Sequence, residues 1–249
     1  MPDDETLIEM YGPSYAMNFA AGPSIDDPKE PERVLTWLAE TPRGTFIDYG
    51  CGEGELLRKA QGLGWNVIGV EFVDDVARHL EQRLNVKVIT SREALDLKGI
   101  ADVIHLGDVI EHMTNINEQM PKILDIIKPS GVLIAQGPLE GHFNLFTLAI
   151  RCAHSLRRGR PTKMAPYHVM LATREGQQRC FHRFGLTSLE FLLTEVSWPA
   201  PSRLSKTDLK SPRSITLFFL RRLSQAISKI NRNWGNRYFY IGRHYGSPS

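Results

Sequence analysis

The chain has 249 residues, of which 42% are hydrophobic and 23% are charged, as in an ordinary globular protein. No apolar run approaches the ~18 residues of a membrane span, and the acidic start lacks the regions of a signal peptide. The three cysteines have neither metal-ligand spacing nor the number that a disulfide framework needs. The sequence therefore predicts a cytoplasmic protein with one large domain, or with one domain and a smaller lobe.

Charge divides the chain into two unequal parts. Residues 1–150 hold 12 Lys and Arg against 24 Asp and Glu, whereas residues 151–249 hold 18 against 4. The formal net charge of +2 conceals an acidic part of −12 and a basic part of +14. Because such segregation bears on partners rather than on fold, we expect the basic part to face something anionic.

The first regular elements of the chain are a helix and a strand that ends in a glycine-rich turn. Residues 1–30 are irregular, and apolar spacing predicts a short helix over 31–41. A short apolar strand from Thr45 then runs into Gly50-Cys-Gly-Glu-Gly54, and helix-forming residues follow. Glycines let a ligand approach the main chain, and the helix start offers free N–H groups. This order predicts a ligand-binding loop, with an ordinary strand-to-helix turn as the alternative.

The glycine spacing disfavours a dinucleotide as the ligand. In the dinucleotide fingerprint G-x-G-x-x-G the third glycine stands one place later than Gly54, and Glu53 is a poor neighbour for a pyrophosphate. A ligand without phosphates that carries a sulfonium or ammonium charge suits the loop better. The next predicted strand, 66–71, ends in Glu71, which would lie beside the loop in a doubly wound sheet. There its carboxylate could accept hydrogen bonds from two ribose hydroxyls, or it could simply be a solvated strand end.

Strands and helices continue to alternate as far as residue 138. The further elements in chain order are a helix at 74–84, strands at 86–90 and 101–106, a helix at 117–127, a turn at 128–131 and a strand at 131–136. This alternation predicts a parallel α/β sheet.

The remaining residues add elements that a minimal sheet of this kind lacks. They are helices at 143–156 and 177–183, a strand at 187–195, a helix at 214–230 and a final strand at 236–243. The 214–230 helix has an apolar stripe that includes Leu223 and Ile230, with Arg221 on the other side. We predict an inserted basic helical lid over about 140–183 and 197–236. Its apolar stripe would pack on the core, or the lid would dock on an anionic target.

Two motifs resemble those of the class I S-adenosylmethionine-dependent methyltransferases. Asp48-Tyr-Gly-Cys-Gly-Glu-Gly54 is similar to the first motif of that family, and Gly107-Asp-Val-Ile-Glu-His-Met113 resembles the motif after strand four. The resemblance is firm over residues 44–138 and looser elsewhere. It implies a doubly wound, mostly parallel seven-stranded α/β sheet with an antiparallel last strand, the Rossmann-like methyltransferase fold. The chain would divide into an arm and helix capping the cofactor site (1–40), a cofactor-binding core (41–138) and the rest of the fold with its lid (139–249).

The same resemblance implies S-adenosyl-L-methionine as the cofactor. The glycine loop, the end of strand two and the motif after strand four would hold it, and a tyrosine of the amino-terminal arm would lie over it. The residues implied are Asp48, Gly50, Cys51, Gly52, Glu71, Phe72, Ser91, Arg92, Asp108, Val109, Tyr11 and Tyr15. Ser91 and Arg92 stand where the family often has an acidic adenine contact, so a backbone N–H would replace that contact here.

The acceptor side is indicated by a second resemblance. Tyr167-His-Val-Met-Leu-Ala-Thr173 resembles a recurring stretch of small-molecule and sugar methyltransferases, which implies that His168 points into the active site. Histidine titrates near neutrality and suits removal of a hydroxyl proton, so His168 and then His112 are the candidate bases. The alternatives are a surface imidazole and a packed helix-start histidine. The implied acceptor contacts are Glu111, Tyr167, Arg157 and Arg158.

Three functions stay open on this interpretation. The first is methyl transfer to a hydroxyl or amine of a small molecule, such as a sugar or a lipid- or phosphate-linked intermediate in glycan or natural-product biosynthesis. The second is a quinone-type or phenolic O-methyltransferase, indicated by Glu111 and His112 and by the apolar lid. The third is a non-catalytic cofactor-binding scaffold that docks on membranes through 214–230, at the inner face of the membrane. We expect no metal, and nucleic acid is a less expected partner because no RNA-binding module is evident.

Overall fold

A computed structural model of the protein describes residues 29–145, 168–195 and 203–244, together with residues 148 and 152. The strands are β1 Thr45–Tyr49, β2 Asn66–Glu71, β3 Lys87–Thr90, β4 Ala101–Gly107, β5 Ile127–Pro138, β6 Leu186–Thr194 and β7 Arg237–His244. The helices are α1 Lys29–Glu40, α2 Glu55–Gly62, α3 Asp74–Leu84, α4 Ser91–Ala94, α5 Ile116–Asp125, α6 Arg174–Arg183 and α7 Pro212–Ile230. Short 3₁₀ turns occupy Ile110–His112 and Asp208–Lys210.

The seven strands form one sheet in the order β3-β2-β1-β4-β5-β7-β6. Strands β1 to β5 pair in parallel, and β7 enters antiparallel between β5 and β6. The structure thus confirms the predicted doubly wound α/β sheet with an antiparallel last strand. Open sheets of this kind bind ligands outside the carboxyl ends of the strands, where the strand order reverses. Here that point lies between β1 and β4.

Two hydrophobic cores hold helices against the two faces of the sheet. Helices α1, α2 and α3 pack on one face, and α5 and α6 pack on the other. Side chains that make these contacts include Val34, Leu38, Leu57, Ala60 and Leu80 on the first face and Met120, Ile123 and Phe181 on the second. Because the central strands are buried on both sides, they are mostly apolar on both faces rather than alternating, with the buried Asp48 of β1 and His105 of β4 as exceptions.

Strand β5 is longer than the sequence predicted. The segment Lys128–Gly131, which was expected to be a turn, belongs to the strand. The pairing of β4 with β5 shifts between Ala101 and Val103, as at a β-bulge. Such a bulge absorbs the extra residues, so the Pro-Ser-Gly sequence bends the strand without ending it.

Helix α6 begins where the sequence predicted a cap. The Thr173 hydroxyl accepts a hydrogen bond from the Gly176 N–H at 3.0 Å, which satisfies one of the free donors of the first turn. The predicted helix at 143–156 lies largely outside the described residues. Within the residues described, no helix has the length and apolarity needed to cross a bilayer.

Candidate active site

The glycine loop joins three strands at the carboxyl edge of the sheet. Gly50, Gly52 and Gly54 all have positive φ angles, of 79°, 51° and 70°, which favour glycine because a Cβ is strained there. The Gly50 N–H donates to the Val70 carbonyl of β2 at 2.8 Å. A Cβ on Gly50 would lie 2.7 Å from Val109 Cγ2 in the loop after β4. The loop is therefore fastened to β2 and pressed against the end of β4.

The carboxylate of Glu71 lies against this loop, as the sequence predicted. Its Oε1 accepts the Gly52 N–H at 2.8 Å, and its Oε2 accepts the Phe72 N–H at 3.2 Å. Burial raises the pKa of Glu71, although these two N–H donors oppose the rise. A carboxylate has about four lone-pair sites, so capacity is left for two ribose hydroxyls. The glycine cradle and this carboxylate fit the nucleoside of S-adenosylmethionine.

Asp48 lies beneath the loop rather than in it. The side chain is buried, and its Oδ1 is 2.7 Å from Nδ1 of His105 on β4. The resemblance implied only that it is one of the residues that hold the cofactor. The structure places it two residues before Gly50 as a support that links β1 to β4.

The loop after β4 carries Asp108 in a left-handed conformation, with φ of 54°. Its Oδ1 lies 2.7 Å from Nη1 of Arg237, at the start of β7. Desolvation works against ionisation, but the charge and hydrogen bonding of Arg237, together with Glu111 and His112, outweigh it and lower the pKa of Asp108. Val109, the next residue, lies against the glycine loop. The Asp108–Arg237 ion pair therefore connects the glycine-loop part of the carboxyl edge to β7.

Glu111 is a buried carboxyl group in the 3₁₀ turn that follows. It is 5% exposed, and its Oε1 has no hydrogen-bond partner among the described residues. Burial, and then the charge of Asp108, raise the pKa of Glu111 well above its usual range. The surroundings therefore separate the two carboxyl groups, lowering the pKa of Asp108 and raising that of Glu111.

His168 is brought to the same place by backbone hydrogen bonds. The N–H groups of Val169 and Met170 both donate to the Glu111 carbonyl, at 2.8 and 3.1 Å. The Nδ1 of His168 lies 2.9 Å from Oε1 of Glu140, just beyond β5. The rings of His112 and His168 meet edge to face, with centroids 5.0 Å apart. Both candidate bases thus lie in one cluster.

This cluster has a geometry that sequence spacing concealed. Ligand atoms of Glu111, His112 and His168 all lie within 4.8 Å of one another, as a metal site would require. These residues have no metal-ligand spacing in the sequence, because His168 comes from a distant segment. The expectation that no metal binds stays a prediction.

The other predicted residues fall into three groups. Phe72, which is 42% exposed, follows Glu71, and Ser91 and Arg92 open α4 after β3, where Thr90 and Glu93 form a capping box. Cys51 is buried, and burial followed by the nearby carboxylates raises the pKa of its thiol, so it is not a reactive group. The residues that lie outside the described part of the chain are Tyr11, Tyr15, Arg157, Arg158 and Tyr167.

Sequence reasoning missed three partners in the site. Glu140 orients His168, Arg237 holds Asp108 and His105 holds Asp48. Glu140 had a usable signal, since it is an acidic residue four positions after the predicted strand 131–136. The other two had none, because strand pairing alone brings them to their partners.

A wider surface cleft lies away from this cluster. It is between α6 and the start of β6, and its lining includes Arg179, His182 and Thr187. Thr187 pairs with Arg243, which also pairs with Val132 near the start of the parallel part of β5. The cleft is therefore at the amino edge of the sheet, opposite the glycine loop, and we do not assign it to the active site.

Comparison with known proteins agrees with this architecture. A family model described as a methyltransferase domain matches residues 26–190. A ubiquinone biosynthesis O-methyltransferase of Rhodopseudomonas palustris (strain BisA53) is 31% identical over 122 residues, which are 47% of this chain and 48% of that protein. The chain spans about half the length of the curated relatives it matches.

Solved structures show the same fold. A magnesium protoporphyrin IX methyltransferase from Synechocystis PCC 6803 with bound SAH aligns with a TM-score of 0.63 at 11% identity, over 97% of this chain and 100% of that one. A possible histamine N-methyltransferase from Thermotoga maritima aligns with a TM-score of 0.62 at 17% identity, over 95% and 98%. Since the family match covers more than half of the chain and the fold agrees, the protein belongs to the methyltransferase domain family and has the class I S-adenosylmethionine-dependent fold.

Proposed function

We propose that the protein transfers a methyl group from S-adenosylmethionine to a phenolic hydroxyl of a quinol-type acceptor. The observation that carries this proposal is the His168–Glu140 pair, seated beside Glu111 and His112 at the edge that holds the glycine loop. The name of the relatives, ubiquinone biosynthesis O-methyltransferase, supports the same acceptor class.

The cofactor half of the site holds and aligns. Glu71 offers its remaining lone pairs to the ribose, and the glycines admit the ligand to the main chain. When bound, S-adenosylmethionine supplies a methyl group on a sulfonium sulfur, which keeps the bonding electrons as the methyl leaves. Alignment of two reactants is worth roughly 7–11 kcal/mol of barrier, so the first task of these residues is positioning.

The acceptor half removes a proton. As the oxygen of the acceptor forms its bond to the methyl carbon, the O–H bond breaks and the proton passes to the free Nε2 of His168. Glu140 accepts the Nδ1–H, which fixes the tautomer and stabilises the imidazolium that forms. Such a base contributes about 10²–10⁴-fold to the rate.

Two features favour a phenol over a sugar. The pKa of a phenolic hydroxyl is about 10, whereas a sugar hydroxyl is far less acidic, so one side-chain base is sufficient for the phenol. The side chains packed around Glu111 are also mainly apolar and include Ile110, Pro138, Met170 and Ala172. The sugar hypothesis rested on Arg157 and Arg158, which lie outside the described residues.

The test is label transfer from methyl-labelled S-adenosylmethionine to a panel of a catechol, a hydroquinone, a sugar phosphate and an amine. We expect label in the catechol and hydroquinone only. His168→Ala and Glu140→Gln should lower turnover at least about tenfold while calorimetry finds the cofactor affinity unchanged. Glu175→Gln, an exposed change in the first turn of α6, serves as the matched control. Label in the sugar phosphate alone, or full activity of His168→Ala, would contradict the proposal.

The cluster of Glu111, His112 and His168 requires one further comparison, since its spacing also suits a divalent cation. The assay is therefore run after chelation with EDTA and after addition of Mg²⁺. Activity that is indifferent to both assigns His168 as a proton acceptor. Activity lost on chelation and restored by Mg²⁺ would replace that role with metal coordination of the acceptor oxygen.

A further inference from the structure

Helix α7 turns an apolar stripe away from the protein. Its most exposed large side chains are Phe219, Leu223 and Ile230, at 61%, 53% and 88% exposure. Thr216, one turn before Phe219, and Ala226, between Leu223 and Ile230, are also exposed. Spacings of three and four residues place all five on one side of the helix.

The two buried residues of α7, Arg221 and Ser224, are both polar and lie on the opposite side, which faces the protein. Leu217 on that side is half-buried. The Ser224 hydroxyl donates to Glu195 Oε1 at 2.7 Å and accepts from Trp234 Nε1 at 2.9 Å. A surface helix of a globular protein normally has the reverse arrangement.

The sequence placed Leu223 and Ile230 in a stripe that would either pack on the core or dock on an anionic target, with Arg221 on the other side. The structure exposes the first two residues and buries Arg221, which favours the second alternative. Periodicity shows that a helix has two unlike faces, but it does not show which one turns inward. The hydrogen bonds of Ser224 fix that choice here.

Basic side chains surround the exposed stripe. Residues 203–232 carry eight Lys and Arg and one Asp. Arg222 and Lys229 flank one side of the stripe and Arg213 the other, and all three are exposed. The Arg222 guanidinium lies 5.5 Å from the centroid of the Phe218 ring, a cation–π contact that keeps the charge beside the apolar surface.

We propose that this surface, the α7 docking face, binds an anionic lipid bilayer. It consists of the exposed stripe of α7 from Thr216 to Ile230 with Arg213, Arg222 and Lys229. A helix with Phe and Leu on one face and Lys and Arg beside them lies in the headgroup boundary of a membrane. Each basic residue near an anionic leaflet raises partitioning about fivefold.

Charge decides between a bilayer and a second copy of the chain as the occupant. Two copies joined through α7 would bring the Arg213, Arg222 and Lys229 of each copy together, with one Asp in 203–232 to offset them, and like charges repel. An anionic leaflet supplies the opposite sign over the whole face.

The α7 docking face lies near the candidate active site. The two hydrogen-bond partners of Ser224 are Glu195, just after β6, and Trp234, just before β7. At the same end of these strands Arg237 pairs with Thr194 and binds Asp108. Docking would thus bring the carboxyl edge of the sheet close to the bilayer. The inference does not depend on the identity of the acceptor, and the vesicle-binding measurement uses neither acceptor nor cofactor.

The experiment is co-flotation of the full chain with vesicles of phosphatidylcholine alone or with phosphatidylglycerol added. We expect binding to the anionic vesicles that weakens with salt, since exposed charges are screened. Arg222→Gln with Lys229→Gln should reduce partitioning about 25-fold, from two cations at about fivefold each. Phe219→Ser with Leu223→Ser should also reduce it.

Matched controls separate docking from general effects. Leu189→Ser removes an apolar side chain of equal exposure, 53%, on β6, and Arg78→Gln removes an exposed cation on α3. Both should bind as the unmodified protein does, and all variants should keep its melting temperature. Absence of binding to anionic vesicles, or equal binding to neutral ones, overturns the proposal. So does a dimer in solution that Phe219→Ser dissociates. Methyl transfer to a water-soluble catechol should be unchanged by Phe219→Ser, so failure of docking and failure of the proposed function are distinguishable.

Discussion

Glu71 offers the sharpest test of how the site holds its cofactor. Glu71→Gln keeps the size of the side chain and removes its charge. In the structure both carboxylate oxygens already accept N–H groups, of Gly52 and of Phe72. The amide would keep one acceptor oxygen and turn an NH₂ donor toward one of these N–H groups, so both the ribose and the loop lose a partner.

The magnitude follows from the two ribose hydroxyls that the free lone pairs of Glu71 can accept. Hydrogen bonds to a charged group are worth about 1.5–3 kcal/mol each, and charge-assisted bonds are roughly twice as strong as neutral ones. The substitution should then cost about half of two such bonds, or about 1.5–3 kcal/mol. That corresponds to a loss of affinity of about 10- to 150-fold.

Isothermal titration calorimetry with S-adenosylmethionine and with S-adenosylhomocysteine measures this loss. Both ligands carry the same ribose, so the factor should be the same for each. Burial raises the pKa of Glu71, so affinity of the unmodified protein should fall on acidification at a pH above the usual glutamate range, and the variant should lack that dependence. Glu53→Gln is the control, because that carboxylate lies in the same loop but pairs with Arg83 at 2.7 Å. Affinity of Glu71→Gln within about twofold of the unmodified protein would refute the assignment.

Three further predictions follow. Gly50→Ala should lower the free energy of unfolding by at least about 1–2 kcal/mol through its positive φ alone and should abolish cofactor binding. Gly62→Ala, in open space at the end of α2, is the control and should bind the cofactor normally. Denaturation measures the stability of both variants, and calorimetry measures their cofactor affinity. The pKa of Glu111 is raised, so the folded protein binds its proton more tightly than the unfolded chain and loses stability as pH rises from the unfolded pKa through the folded one. Glu111→Gln should therefore have a higher melting temperature than the unmodified protein at alkaline pH and the same melting temperature near pH 4. Equal melting temperatures at both pH values would contradict the assignment. His105→Leu leaves the buried Asp48 carboxylate unpaired and should lower the free energy of unfolding, measured in urea, by about 3–5 kcal/mol. Asp48→Asn in the same chain should restore most of that stability. A loss under about 1 kcal/mol would mean that the pair contributes little.

The sequence was sufficient for the cofactor half of the site because its signals are local. Alternating strands and helices predict a parallel sheet, and the carboxyl ends of parallel strands share one edge. The turn at Gly50–Gly54 and the carboxylate of Glu71 each stand at such an end, so their proximity followed without knowledge of any side-chain contact.

The acceptor half was predicted only as a set of separate residues. His112 and His168 were both named, but their meeting depends on backbone hydrogen bonds from Val169 and Met170 to Glu111. Glu140 was missed although it is four positions after a predicted strand. Periodicity describes neighbours within one element, and these contacts join segments that are distant in the chain.

What the sequence by itself determined about this protein is the fold class, the glycine loop and the strand-end carboxylate, since each depends on backbone conformation and on apolar spacing over a few residues. Only the tertiary structure decided that Arg237 holds Asp108, 129 residues away, and that α7 exposes Phe219 and buries Arg221. The insertion of β7 between β5 and β6 sets the first, and the polar partners of Ser224 set the second. Both depend on how complete elements pack together, for which no short stretch of chain carries a signal.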